Sequence, residues 1–193
     1  MPVACLILAA GQSVRFGEAN KLLAEVNGRT LVRRAVDIAL ASLCRDVHVV
    51  VPPNNVLMDQ SLAGLPVTPC INWDYTSGIG SSIAVGVRSL APDVTGALIL
   101  PADMPWMRTE VLDKLITAFE GADDALVTFP VTAAGEQRNP VLWPSCYFKE
   151  LGDLGADRGA KHLIPTEPAK LQKVVFQDDA GFKDVDRPSD LSP

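Results

Sequence analysis

The sequence is poor in cysteine and in positive charge, and it has no long hydrophobic run. Its four cysteines, Cys5, Cys44, Cys70 and Cys146, are widely scattered and form no C-x-x-C pair. That pattern argues against a structural zinc site and against a dense disulfide framework. Cys5 and Cys44 lie in apolar stretches and are expected to be small buried hydrophobes in a reduced, cytoplasmic setting. Lys and Arg total 17 against 23 Asp and Glu, a formal net charge of −6. A broad basic surface for nucleic acid is therefore missing, although a local cationic pocket can still hold a polyanion. The longest near-apolar run at the start, Ala4 to Gly11, is far short of the roughly 20 residues a membrane helix needs. It has no basic residue before it and no small-residue cleavage site after it, so neither a membrane partner nor a signal peptide is expected.

What is present suffices for one domain. Of 193 residues, 48% are hydrophobic and 21% charged, enough apolar material for a real core and too much for disorder. Short β runs alternate with amphipathic segments. Strands are predicted at Val3–Leu8, Val47–Val51, Val67–Ile71, Ala97–Leu100, Ala125–Val131, Pro140–Trp143 and Leu171–Phe176. Helices are predicted over Thr30–Leu43 with Thr30 as N-cap, Asn54–Ala63, Ser81–Leu90, Thr109–Phe119 with Thr109 as N-cap, and Arg158–Ile164. The alternation implies a mainly parallel α/β sheet with both faces covered. Ligands in such sheets bind beyond the carboxyl ends of the strands, here after Leu8, Val51, Ile71 and Leu100.

The loop after the first strand carries what a phosphate site needs. Gly11 lets backbone amides approach a ligand, Ser13 adds a hydroxyl, and Arg15 and Lys21 supply charge. It is not a G-x-x-x-x-G-K-[ST] loop, and Gly11 and Gly17 do not fit G-x-G-x-x-G, which weakens any hydride-transfer reading. By spacing alone it reads equally as an ordinary strand-to-helix turn with two surface cations.

The stretch L-A-A-G-x-S-x-R-F-G-x-x-x-K, Leu8 to Lys21, resembles the opening motif of nucleotidyltransferases that attach a nucleoside monophosphate to a phosphorylated acceptor. The resemblance points to the MobA-like group, and within it to the molybdenum cofactor cytidylyltransferases. It extends over nearly the whole chain through four segments. It implies a single Rossmann-like α/β/α sandwich of the nucleotide-diphospho-sugar transferase type over residues 1–193. The nucleotide-binding half would span about 1–105 and the acceptor-side half about 106–193. The Ala9-Ala10-Gly11 backbone would then read the base, while Ser13, Arg15 and Lys21 hold the triphosphate.

After the fourth strand comes Leu100-Pro101-Ala102-Asp103-Met104-Pro105. A carboxylate fixed between two prolines suits a metal ligand, and it also suits a plain turn. The resemblance implies the first, with Asp103 binding Mg²⁺. Asp184-Val185-Asp186-Arg187-Pro188-Ser189-Asp190 resembles the family's terminal D-[IV]-D-T-P-x-D stretch, with Arg187 in place of threonine, and makes Asp186 the candidate second ligand. A solvated acidic turn is the alternative.

Gly78-Ile79-Gly80-Ser81-Ser82 stands where a loop turns into a helix, suited to capping or to ligand contact. The resemblance assigns Gly80, Ser81 and Ser82 to the base and ribose. Trp73 could line a pocket for a flat pterin or anchor the loop by burial. On the acceptor side the family pattern implies roles for Asn139, which stands where His is expected before Pro140, and for Arg158 and Lys161. His48 is expected to be a core histidine, and His162 has no evident partner in the sequence.

The implied reaction is attack by an acceptor phosphate oxygen on the α-phosphorus of CTP, catalysed by Arg15, Lys21 and Asp103 with Mg²⁺. The product would be a molybdopterin cytosine dinucleotide. A xanthine dehydrogenase-type molybdoenzyme or its maturation factor would be the protein partner. Alternatives are GTP as donor, a sugar phosphate or isoprenoid-precursor phosphate as acceptor, a non-catalytic nucleotide- or cofactor-binding protein, and a nicotinamide-dependent oxidoreductase.

Overall fold

Six consecutive residues, Val-Ala-Cys-Leu-Ile-Leu, form β1 (Val3–Leu8). A strand can be apolar on both faces only if both faces are covered, and β1 lies at the centre of the sheet. It pairs in parallel with β4 (Asp46–Val51) on one side and β6 (Gly96–Pro101) on the other, with Cys5 level with both Val47 and Leu98. The structure, a computed structural model, describes residues 2–12, 16, 20–123, 125–155 and 158–191. Adding β5 (Thr68–Ile71), β7 (Val127–Thr132), β8 (Val141–Pro144) and β9 (Leu171–Phe176) gives a seven-stranded sheet of order β5-β4-β1-β6-β8-β7-β9. Only β8 runs against its neighbours β6 and β7.

Alternation along β1 splits the core in two. Cys5 and Ile7 face α1 (Leu31–Leu40), α2 (Val56–Leu62) and α4 (Thr109–Glu120), whereas Leu6 faces α3 (Ile79–Arg88) and α5 (Phe148–Gly152). The amphipathic periods explain the packing: Leu31, Val32, Ala35, Val36 and Ala39 of α1, and Val111, Leu112, Leu115, Ile116 and Phe119 of α4, are all buried on one layer. The architecture is therefore helices on both faces of a mostly parallel sheet. Among the described residues no helix is long and apolar enough to cross a membrane.

The sequence-based elements need several corrections: the helix predicted over Arg158–Ile164 is only a 3-10 turn at Ala160–Leu163, and α5 has no counterpart among the predicted helices. Helix α1 stops at Leu40, because the Ser42 hydroxyl donates to the Ala39 carbonyl (2.7 Å) and turns the chain, leaving Leu43 exposed. Thr30 does cap it, accepting from the Arg33 amide at 3.3 Å. Thr109 is the first residue of α4 rather than its cap; its hydroxyl donates to the Ile38 carbonyl (3.3 Å) and ties α4 to α1. Helix α3 begins at Ile79, two residues earlier than its apolar pattern suggests. A small hairpin, β2 (Glu25–Val26) and β3 (Arg29–Thr30), was not anticipated. Its Asn27-Gly28 turn has φ of 54° and 74°, the conformation that favours Asn-Gly in two-residue hairpins.

His48 of β4 is buried beside the Ser89 hydroxyl (2.9 Å to Nδ1), and burial pushes its pKa down. Cys5 and Cys70 are buried, Cys44 is half-buried and Cys146 is exposed.

Gly80, near the start of α3, is a packing glycine. A Cβ there would meet the carbonyl oxygens of Gly155 at 2.1 Å and Arg158 at 2.6 Å. In an open helix Gly→Ala stabilises by about 1 kcal/mol. Here the methyl must displace backbone, so Gly80→Ala is expected to destabilise by about 1–3 kcal/mol instead. Urea denaturation of the two proteins decides the sign.

Candidate active site

The sheet reverses its winding at β1. The chain moves outward from β1 to β4 and β5, then returns to place β6 on the opposite flank. The connections leaving β1 and β6 therefore diverge and open a crevice at their carboxyl ends, the usual ligand position in such sheets. Ala9 N–H donates to the Val50 carbonyl (2.8 Å) and Ala102 N–H to the Leu8 carbonyl (3.2 Å), which fixes both loops to the sheet. Between them lies a cleft of about 420 Å³, walled by Ala10, Gly11, Lys21, Ser82, Asp103 and Asp186 among others.

Gly11 stands at its mouth with nothing within 4 Å of where a Cβ would be. Among the described residues, nothing there requires glycine for space. Ala9 and Ala10 are buried beneath it. Ser13 and Arg15 lie outside the described residues. Downstream, Asn20 accepts from the Leu22 amide (3.0 Å) and Leu22 is buried in the core. This short turn holds Lys21 over the crevice.

Lys21 brings together segments far apart in the chain. Its ammonium donates to Asp103 Oδ2 at 2.7 Å and to the Val185 carbonyl at 3.0 Å, and lies 3.6 Å from Asp186 Oδ1. Asp103 follows the buried strand β6, and its carbonyl accepts from the Val185 amide (2.8 Å), so the C-terminal segment is fastened directly beside it. The second oxygen of Asp103, Oδ1, is buried and has no hydrogen-bond partner among the described residues. A buried carboxylate oxygen without a donor is costly unless a ligand meets it.

The donor set suits a hard divalent cation. Two carboxylates, with substrate phosphates and water completing the shell, are a common arrangement for Mg²⁺. Among the described residues no group of three or more His, Cys, Asp or Glu side chains gathers, so a site made wholly of protein ligands is not present there. Asp186 is itself positioned by a residue the sequence reading did not single out. Asp190 Oδ2 accepts from the amides of Asp186 (3.1 Å) and Arg187 (2.9 Å), and these donors hold the Asp190 carboxyl below its usual range.

The segment before α3 divides its roles. Ser82 lines the cleft, with Gly78, Ile79, Tyr75 and Thr76 nearby. Ser81 does not: its hydroxyl bonds the Asp74 (2.9 Å) and Gly78 (2.8 Å) carbonyls. Gly80 is turned to the segment around residues 155 and 158, as described above. Buried Asn72 organises the group, donating from Nδ2 to Ser81 Oγ (2.9 Å) and Ser82 Oγ (3.0 Å) and accepting from the Asp74 amide (3.0 Å). The only sequence signal for it was its position, one residue past the end of β5.

Trp73 is 72% exposed and is not a buried anchor. At the strand exit the neighbouring Asn72 turns inward and Trp73 outward, and Trp73 is not among the cleft-lining residues. Asn139, Arg158 and Lys161 are exposed and do not line the cleft. Asn139 stands two residues before β8, which pairs with β6 from Ile99–Val141 onward. Gly159, the residue after Arg158, abuts the cleft-lining Ile79.

Comparison with known proteins bears on the family and the fold. Residues 5–173 match the model of the MobA-like NTP transferase domain. A probable molybdenum cofactor guanylyltransferase of Natronomonas pharaonis is 31% identical over 202 residues, covering 96% of this chain and 93% of that protein. A nicotine blue oxidoreductase of Paenarthrobacter nicotinovorans is 29% identical over 185 residues, covering 94% and 90%. Among solved structures, Rv0371c of Mycobacterium tuberculosis superposes with a TM-score of 0.85 at 20% identity, covering 98% of this chain and 95% of that one; a manganese complex of it gives 0.77 at 17%, covering 92% and 90%. With the family model matched over most of its length, the chain belongs to the MobA-like NTP transferase family and is a nucleotidyltransferase.

Proposed function

We propose that the protein transfers CMP from CTP to the terminal phosphate of a molybdopterin-type acceptor and releases pyrophosphate. The observation that carries this reading is the meeting of Lys21, Asp103 and Asp186 at the head of the β1–β6 crevice, with one Asp103 oxygen left for a cation. An acceptor phosphate oxygen forms the new bond to the α-phosphorus as the α–β bridging bond breaks, and the bond electrons leave with pyrophosphate. That oxygen is already anionic at neutral pH, so no side chain need act as nucleophile or base. The protein has to position the two phosphates in line and offset their charge.

In this reading Asp103 and Asp186 hold Mg²⁺, which when bound neutralises phosphate charge at the reacting centre. Lys21, with Ser13 and Arg15 of the same loop, holds the triphosphate. Ser82 contacts the base or ribose, and Ala9, Ala10 and Gly11 form the floor under it. Gly80 and Ser81 support that wall from behind. Asn139, Arg158 and Lys161 serve the acceptor.

Cytosine is favoured because Ala9-Ala10-Gly11 resembles the turn of cytidylyltransferases, whereas guanylyltransferases of the group tend toward a glycine-richer one. GTP is the second reading, supported by the guanylyltransferase relative. Pyrophosphate release from CTP, GTP, ATP and UTP, with Mg²⁺ and with or without molybdenum cofactor, tests both. Release with CTP and only with cofactor is expected. Release with GTP alone would reassign the base, and release only with another phosphorylated acceptor would reassign the acceptor. Absence of release, with consumption of a reduced nicotinamide, would move the chain toward the chemistry named for the oxidoreductase relative.

A further inference from the structure

We infer that Lys21 and the divalent cation compete for the same two carboxylates, so that the cation binds only together with a triphosphate that draws Lys21 away. The inference rests on the proposed function for the identity of the triphosphate, but not for the competition itself. The ammonium of Lys21 already engages Asp103 Oδ2 and the Val185 carbonyl and lies within 3.6 Å of Asp186 Oδ1. Two carboxylates carry two negative charges, and Lys21 offsets one of them. A dication arriving alone would meet carboxylates already partly neutralised and a cation beside them, with no third His, Cys, Asp or Glu gathered among the described residues to compensate. Like charges at this spacing disfavour one another strongly when partly desolvated, and the side chains of Lys21 and Asp103 are only 15% and 20% exposed.

A triphosphate reverses the balance. It offers Lys21 a larger negative charge, and the flexible four-carbon stem of lysine lets the ammonium move to it. The same phosphates supply oxygens that Mg²⁺ needs to complete its shell. Asp103 Oδ2 is then released to join Oδ1, which already lacks a donor. Lys21 thus serves two states: it neutralises the carboxylates before substrate arrives, and it neutralises the phosphates afterwards.

The test reads metal binding rather than turnover. Mn²⁺ is titrated into the full chain without nucleotide, and free Mn²⁺ is followed by electron paramagnetic resonance. Lys21→Met is expected to bind one Mn²⁺ at least about tenfold more tightly than the wild type, and Asp103→Asn added to it should remove the gain. Lys21→Gln keeps a donor for Asp103 and covers the case in which Lys21→Met folds poorly. Wild-type affinity equal to that of both neutral variants would overturn the competition. A gain in Mn²⁺ affinity from a protein that releases no pyrophosphate with any nucleotide would overturn the proposed function and leave the competition standing.

Discussion

Asp103→Ala is expected to lower pyrophosphate release by about 10³-fold or more and to abolish its response to Mg²⁺. The size follows from what one side chain holds. Oδ1 is the buried oxygen without a donor, and Oδ2 is the nearest acceptor of Lys21. Removing both leaves Asp186 as the one remaining carboxylate of the pair, and its side chain is 45% exposed. Folding should be little affected, because Asp103 ties the C-terminal segment through its backbone carbonyl, which alanine retains. A metal titration of steady-state rates, with thermal melts alongside, separates the two roles. An unchanged Mg²⁺ response would remove Asp103 from the site.

Lys21→Ala is expected to reduce turnover by about 10²-fold or more, the scale of losing one preorganised transition-state donor. Its signature is an opposition of sign: turnover falls while cation affinity in the absence of nucleotide rises. A residue that merely braces the loop would lower both. Lys21→Arg should not restore full activity, since a planar guanidinium cannot replace a compact ammonium between two carboxylates and a carbonyl. Near-normal turnover in Lys21→Ala would end the assignment.

The sequence made some of this legible and hid the rest for physical reasons. Strand β1 was readable to the residue, because a doubly covered central strand must be continuously apolar. Lys21, Asp103 and Asp186 were readable as candidates one at a time, but their meeting depends on which strands are neighbours, which no local pattern encodes. Asn72 and Asp190 were missed because they act by orienting others. A buried amide that sets two hydroxyls, and a carboxylate that accepts two backbone amides, look in sequence like any loop residues. Leu43 extended α1 on paper because it kept the helical period, yet the Ser42 hydroxyl had already turned the chain. The Asn27-Gly28 signal was present, but two-residue strands carry too little alternation to register as strands.

The docking of Val185 beside Asp103 makes the candidate site depend on a segment outside the sheet. A chain that ends after Phe176 would still contain every strand from β1 to β9. It would lack Asp186, the Val185 carbonyl that receives Lys21, and the Val185 amide that fastens to Asp103. The sheet frame thus ends before the segment that completes the candidate site begins. The same stretch buries Phe182 and Val185 in the main core, so one short segment both seals one layer of the fold and brings Asp186 to Lys21: a cut there would loosen the fold and open the site together.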